Sequence, residues 1–199
     1  AVTTAKIADD NVTAAKISNN EDFTINSLTV GKGANSVAGN TVLGESALDA
    51  SVSGGNNTAI GTYTLGDNTT GASNTALGKD ALASNTTASN NTAVGADALE
   101  ANTTGTQNTA VGTEALKATT TGNQNSALGV AALYANTTGS DNTALGRSAL
   151  SANTTASNNT AVGSSALVSN TTGTQNVAVG ASALDASTTG NYNTACGQA

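Results

Sequence analysis

Residues 91–107 read NTAVGADALEANTTGTQ, and the same 17-residue skeleton recurs from about Asn40 to the end of the chain. The skeleton is NTA(V/L)G, two variable residues, AL, and then xxNTTGxx. A unit this short holds too few apolar side chains to bury a core alone, so each unit needs a neighbour on both sides. The repeat therefore predicts a fold made by stacking. One glycine per unit stays in register: Gly44, Gly61, Gly78, Gly95, Gly112, Gly129, Gly146, Gly163, Gly180 and Gly197.

Within each unit, the pattern of residue types predicts one short strand. Residues 92–94 alternate in character, and Asn91 and Gly95 stand on either side where the chain should turn. Strands of successive units would pair in parallel at about 4.8 Å. We expect Val94 and Val111 to stack inside the roll, as apolar residues of buried parallel strands do. The predicted fold class is all-β: a parallel β-roll or β-solenoid of 17-residue coils.

A leucine in each unit makes a second apolar column, which includes Leu99 and Leu116. The segment around it, ADALEA in residues 96–101, has helical propensity. Helices packed side by side need about 8 to 10 Å, twice the spacing of stacked strands. We therefore expect an extended segment or a single 3₁₀ turn at this place in each coil.

Polar residues also recur at fixed positions and predict ladders along the stack. Stacked Asn side chains can donate and accept hydrogen bonds from coil to coil, which satisfies turn groups that an apolar residue would leave unpaired. The Asn of each NTT also matches the N-x-T glycosylation acceptor, a match that follows from the repeat itself. The predicted polar ladders contain Asn91, Asn108 and Asn125 in one column and the pair Thr103 and Thr104 in others.

The chain divides into three segments by the period of its repeats. Residues 1–22 form an N-terminal arm with a ten-residue repeat, whose few Val and Ile side chains can be ordered only by other chains. Residues 23–39 are predicted to hold the strand that starts the stack and a first coil shorter than the rest. Residues 40–199 form the solenoid shaft, with no linker that would divide it into domains.

Composition excludes several functional classes. The net charge is −7 with only six Lys and Arg, so the chain lacks the basic face that nucleic acid requires. With no His in the chain, neither a Ser/His/Asp set nor a Cys/His cluster can be assembled, and no Gly-rich phosphate loop is present. A translational repeat also gives every coil a similar environment, whereas catalysis needs a convergent and distinct set of groups. We expect no enzyme activity and no cofactor.

The sequence contains no apolar stretch long enough to span a membrane and no signal peptide, so membrane insertion is not expected. The chain does not begin with Met, and it ends at Ala199, just after Cys196 and Gly197 begin another coil. These two features are typical of a processed chain or a fragment.

Two sets of residues raise the question of a reactive site. Asp80, Asp97 and Glu114 share one register and could form a column of carboxylates for a hard cation such as calcium. Later coils have Ala or Ser in this register, so we favour a solvated face over a metal site. The single cysteine, Cys196, occupies the register of Val94, which predicts a small buried hydrophobe and no reactive thiol.

The alanines of the strands suggest how copies of the chain would associate. Ala93 and Ala110 alternate with the inward Val, which predicts a strip of small apolar side chains on the opposite face of the strand. Such a strip can pack against copies of itself around an axis. Ten coils at about 4.8 Å predict a shaft on the order of 50 Å if each chain stacks upon itself, and a longer one if chains interweave.

The units NTAVGADALEANTTGTQ and NTALGRSALSANTTASN, preceded by VTTAKIADDNVTAAKI and SLTVGKG, resemble bacteriophage tail-fibre proteins, particularly those of marine and cyanobacterial phages. The NTA(V/L)G core is also similar to the NSVAIG motif of trimeric autotransporter adhesin heads, the YadA-like β-roll. The resemblance implies a parallel homotrimer in the virion tail, joined to other fibre or baseplate proteins. Its task would be to project a tip that binds a host cell-surface receptor.

Two other functions remain open from the sequence. A bacterial trimeric surface adhesin or extracellular filament subunit would lie on the bacterial cell surface, and a signal peptide and membrane anchor elsewhere in its chain would distinguish it. A polysaccharide-cleaving fibre would require paired carboxylates in a groove.

Overall fold

The structure, a computed structural model, describes residues 23–25 and 28–198, so the predicted N-terminal arm lies outside the described residues. The described chain forms one twelve-stranded sheet whose strands follow each other in sequence order. The strands are β1 (Phe23–Ile25), β2 (Leu28–Gly31), β3 (Thr41–Gly44), β4 (Thr58–Ile60), β5 (Thr75–Leu77), β6 (Thr92–Val94), β7 (Thr109–Val111), β8 (Ser126–Leu128), β9 (Thr143–Leu145), β10 (Thr160–Val162), β11 (Val177–Val179) and β12 (Thr194–Cys196).

The strands β3 to β12 are parallel and stack as a β-solenoid. Each residue pairs with the residue 17 positions later, as Thr92 does with Thr109 and Val94 with Val111. Hydrogen bonds between coils continue outside the strands, for example from the Leu99 N–H to the Ala115 carbonyl at 3.0 Å. The prediction of an all-β solenoid of 17-residue coils is confirmed.

The start of the stack differs from the expected short coil. The strand β2 runs antiparallel to β3, with Val30 opposite Leu43, and β1 is antiparallel to β2. The chain therefore reverses direction between β2 and β3. A 3₁₀ turn at Ala34–Ser36 lies in this connection, and Gly33 and Gly39 adopt the positive φ angles of 76° and 80° that favour glycine.

The two faces of each strand are the reverse of the sequence-based expectation. Ala93 and Ala110 are fully buried, whereas Val94 and Val111 are only half-buried and Leu77 keeps 44% of its surface exposed. The predictions of an inward Val column and an outward alanine strip are both wrong. From β4 to β11, the interior takes the alanine of each strand.

The reason lies in the segment opposite each strand. Ala98 and Leu99 are neighbours in sequence, yet both are fully buried. Strict alternation would send them to opposite sides, but Leu99 has a φ of 53°, in the left-handed region, which turns its side chain inward as well. The leucine fills most of the space between the two sides of the roll, so the facing strand usually contributes a small side chain such as Ala93, and only the first parallel coil buries a larger one, Val42, in this register.

The leucine-bearing segment forms consecutive turns, whereas an extended segment or a single 3₁₀ turn was expected there. The N–H groups of Ala98, Glu100 and Asn102 donate to carbonyls three residues earlier at 3.1 to 3.4 Å. Asp97 and Leu99, each the third residue of such a turn, have φ values of 58° and 53°. A positive φ at that position is the mark of type II turns.

The glycine column is required by both conformation and space. Gly95 and Gly112 have φ values of 136° and 134°. A Cβ atom on Gly95 would lie 2.6 Å from the carbonyl carbon of Gly112 in the next coil. No larger residue fits where the coils approach this closely.

The polar ladders run through the interior and along its edge. The Asn108 N–H donates to Asn91 Oδ1 at 2.9 Å, and Asn125 Nδ2 donates to Asn108 Oδ1 at 3.1 Å. These asparagines are buried. The Thr103 hydroxyl donates to the Thr120 carbonyl at 3.1 Å, whereas the side chain of Thr104 is exposed.

Candidate functional site

The outward face of strands β3 to β12 is the candidate site, and we call it the sheet face. It consists of two columns, because the residues before and after each buried residue of a strand point outward. The first column is mostly threonine: Thr41, Thr58, Thr75, Thr92, Thr109, Ser126, Thr143, Thr160, Val177 and Thr194. The second column is apolar: Leu43, Ile60, Leu77, Val94, Val111, Leu128, Leu145, Val162, Val179 and Cys196.

The sheet face exposes large apolar side chains along its whole length. Leu128 is 52% exposed, and Leu43, Leu145 and Val179 each expose more than a third of their surface. Nine strand spacings of about 4.8 Å make the face about 43 Å long, and two columns make it roughly 10 Å wide. A strip of several hundred Å² is as large as the patches that commonly serve as interaction sites.

Charged side chains lie elsewhere on the coil. None of the twenty residues in the two columns is charged. In each coil, we call the six residues that follow the repeating glycine of the column Gly44 to Gly197 the turn segment. From Glu45 onward, every charged residue except Asp141 belongs to a turn segment. One side of the solenoid is thus apolar and uncharged, while another carries the charge.

The largest charge cluster of the turn segments centres on Lys117. Its Nζ atom lies 2.9 Å from Asp97 Oδ2 and 3.3 Å from carboxylate oxygens of both Glu100 and Glu114. These contacts, the hydrogen bond to Asp97 above all, raise the pKa of Lys117 above its ordinary value. The side chains remain partly exposed, so the cluster contributes little to stability.

The acidic register is an ion-paired surface. Lys79 pairs with Asp80, and Lys117 pairs with Asp97 and Glu114. Among residues 23–25 and 28–198, no three His, Cys, Asp or Glu side chains are grouped so that they could hold a metal ion. The ammonium groups of Lys79 and Lys117 lie beside these carboxylates, in the place where a metal cation would otherwise be needed to neutralise them.

The exposure of Cys196 and the burial of the N-x-T asparagines bear on two further expectations from the sequence. Cys196 is exposed, because its register faces outward, so the prediction of a buried hydrophobe is wrong. The sequon asparagines Asn85 and Asn102 are fully buried, and Asn85 Nδ2 donates to Asn68 Oδ1 at 2.7 Å and to the Ala88 carbonyl at 3.1 Å. An amide nitrogen held in this way is inaccessible to glycosylation while the chain is folded.

The sheet face was missed by sequence reasoning, although a signal for it was present. If the Asn of NTA stacks inside the roll, then the Ala two residues later shares its side of the strand and the Val must face outward. The predictions of a structural Asn91 column and of an inward Val94 were therefore inconsistent with a period of two.

In the described residues, no helix is long and apolar enough to cross a membrane. Comparisons with protein-family models, with curated proteins and with solved structures find no match to this chain. The functional argument therefore depends on the geometry and chemistry of the solenoid surface.

Proposed function

We propose that this chain is the non-enzymatic structural shaft of a phage tail fibre, built as a parallel homotrimer. The sheet faces of three chains pack together along the fibre axis, and the turn segments face the solvent. The observation that carries this proposal is the uncharged apolar column that runs along one side of a stack with a constant repeat.

Burial of the sheet face accounts for its composition. An exposed leucine or valine at nearly every coil is unfavourable in an isolated chain, and removing apolar surface from water contributes about 25 cal/mol per Å². Thr side chains beside the apolar column present both a methyl and a hydroxyl, so they can pack or hydrogen-bond across an interface. The charge cluster of Lys117, Asp97, Glu100 and Glu114 keeps the opposite surface soluble.

The repeat supports a parallel arrangement of the copies around one axis. Every coil presents nearly the same two outward strand residues at the same step. Copies that run in the same direction place Val94 beside Val94 and Leu128 beside Leu128 at every level. Such cyclic symmetry closes the assembly, so the apolar strip of every copy is buried and no further copies are added.

The shaft contributes reach and stiffness outside the cell. Coil-to-coil hydrogen bonds and buried amide columns hold each level to the next, so the stack resists bending. One end would join other fibre or baseplate proteins, and the other would carry the tip that binds a host cell-surface receptor. The chain itself would have no cofactor and no catalytic role.

Oligomeric mass tests the use of the sheet face. We expect wild type to have three times the chain mass by light scattering, and Leu128→Glu to dissociate because it introduces a charge into the buried strip. The matched control is Val130→Glu, since Val130 is 51% exposed but lies in the turn segment. A monomeric wild type, or two variants with equal effects, would contradict the proposal.

The location of the chain tests the fibre assignment separately. Antibodies against the purified chain should label virion tails by immunogold electron microscopy of the source material. Labelling confined to the bacterial surface would instead favour the adhesin or filament function, which the same trimeric solenoid could serve.

A further inference from the structure

A second buried amide column runs through the asparagine of each NTT from Asn68 onward, where it follows the buried Ser51 of the preceding coil, and two of its later rungs interrupt it. The interruptions are Thr119 and Ser187, which are 68 residues, or four coils, apart. The column contains Asn68, Asn85, Asn102, Thr119, Asn136, Asn153, Asn170 and Ser187.

At an uninterrupted rung, the amide NH₂ donates two hydrogen bonds. Asn153 Nδ2 donates to Asn136 Oδ1 of the preceding coil at 2.9 Å and to the Ala156 carbonyl three residues later at 3.0 Å. The Ala156 carbonyl also receives a bond from Asn142 Nδ2 at 2.8 Å. Each rung thus satisfies one side-chain oxygen and one carbonyl oxygen.

At Thr119, the equivalent oxygens are Asn102 Oδ1 and the Gly122 carbonyl oxygen, and neither receives the hydrogen bond that an asparagine amide would donate. Asn102 Oδ1 is buried, and no group in the described chain donates a hydrogen bond to it. The Gly122 carbonyl receives a bond from Asn108 Nδ2 at 2.8 Å, but a threonine has no amide to supply the second bond. Thr119 is fully buried, and its Oγ1 accepts a long bond of 3.4 Å from Asn136 Nδ2.

We propose that one internal water molecule is bound at this rung and replaces the missing NH₂ group. Like the amide nitrogen, a water donates two hydrogen bonds, here to Asn102 Oδ1 and to the Gly122 carbonyl. It accepts a third from the Thr119 hydroxyl, which accepts from Asn136 Nδ2 and donates to no group in the described chain. Three polar partners are typical of a buried structural water. Threonine has one non-hydrogen atom fewer than asparagine, which leaves room at the end of the side chain.

The second interruption has the same chemistry in a more open place. Asn170 Oδ1 is buried without a donor, and the Gly190 carbonyl receives a bond from Asn176 Nδ2 at 2.7 Å. Ser187 itself is only half-buried. A water there exchanges faster than the water at Thr119.

Two variants test the proposal. Thr119→Asn inserts the side chain that neighbouring rungs have, so it should displace the water and fold normally. Asn153→Thr is the matched reverse change, since it removes the donor to Asn136 Oδ1 and should create one new water site. The number of long-lived internal waters, counted by oxygen-17 magnetic relaxation dispersion, should fall by one in Thr119→Asn and rise by one in Asn153→Thr.

A crystal structure of the wild-type assembly provides a second, direct readout. A density peak within hydrogen-bond distance of Asn102 Oδ1, the Gly122 carbonyl and Thr119 Oγ1 is expected. The proposal is overturned if that position is empty, or if the water count is the same in wild type and Thr119→Asn. A melting temperature that changes when sodium is exchanged for potassium or choline would indicate a bound cation, which also overturns it.

Discussion

At the scale of single residues, identical side chains have opposite roles within one coil. Leu116 is fully buried with a φ of 53°, whereas Leu128 lies on the sheet face. The left-handed conformation costs roughly 1 kcal/mol for a residue such as leucine. Burial of the side chain offsets that cost, since a buried leucine contributes about 1.5 to 3 kcal/mol.

Truncation of Leu116 tests this assignment. We expect Leu116→Ala to lower the free energy of unfolding by about 2 to 5 kcal/mol, because it leaves a cavity between the two sides of the roll. The control Val130→Ala, at an exposed position of the turn segment, should stay within about 0.5 kcal/mol of wild type. Urea unfolding followed by circular dichroism measures both. Equal losses would contradict the described core.

At the scale of elements, the strands are only three or four residues long, so they depend on the columns beside them. Asn108 is an example. Its backbone N–H donates to Asn91 Oδ1, its Nδ2 donates to the Gly122 carbonyl, and its Oδ1 accepts from the Asn125 N–H. Each buried amide therefore links three coils. An apolar residue at this position would keep the backbone bond to Asn91, but it would leave the Gly122 carbonyl and the Asn125 N–H without their side-chain partner.

Removal of one buried amide should therefore weaken the contact with the following coil. Asn108→Ala is expected to cost about 2 to 4 kcal/mol, since buried donors and acceptors are left unpaired. Thr104→Ala, an exposed neighbour in the same coil, is the control and should have little effect. Hydrogen exchange of the Asn125 amide should speed up only in the first variant. Retained protection at Asn125 would show that the column contributes less than its hydrogen bonds indicate.

At the scale of the whole molecule, each coil contacts only the coils above and below it, apart from the reversed strands at the start. Residues 85–112 recur with few changes at 153–180, a shift of four coils. Because the environment repeats, coils can be gained or lost as whole units without changing the columns.

Deletions of different lengths test this modularity. Removal of residues 92–108, one complete coil, should leave circular dichroism per residue nearly unchanged and shorten the particle by about 4.8 Å. Removal of residues 92–99 deletes fewer residues but leaves half a coil without a strand or a buried leucine. We expect the smaller deletion to lower the melting temperature more. The opposite order would mean that the columns do not hold the stack together.

The sequence alone supported the stack, its 17-residue step and the buried leucine and asparagine columns, since only a constant spacing places like residues above each other. It also pointed to NTA as the strand. The reversed strand β2 could not be anticipated, because spacing between Val30 and Leu43 carries no information on chain direction.

The tertiary structure decided which side of each strand faces inward. Local alternation separates Ala93 from Val94 but does not say which of them is inside. Leu99 on the opposite side settles it, because it fills most of the width of the roll and favours the smaller of the two side chains on the inside, although the first parallel coil buries Val42 in the same register. That contact joins residues from two sides of the coil, and near the strand itself only the buried Asn91, two residues before Ala93, indicates the same choice.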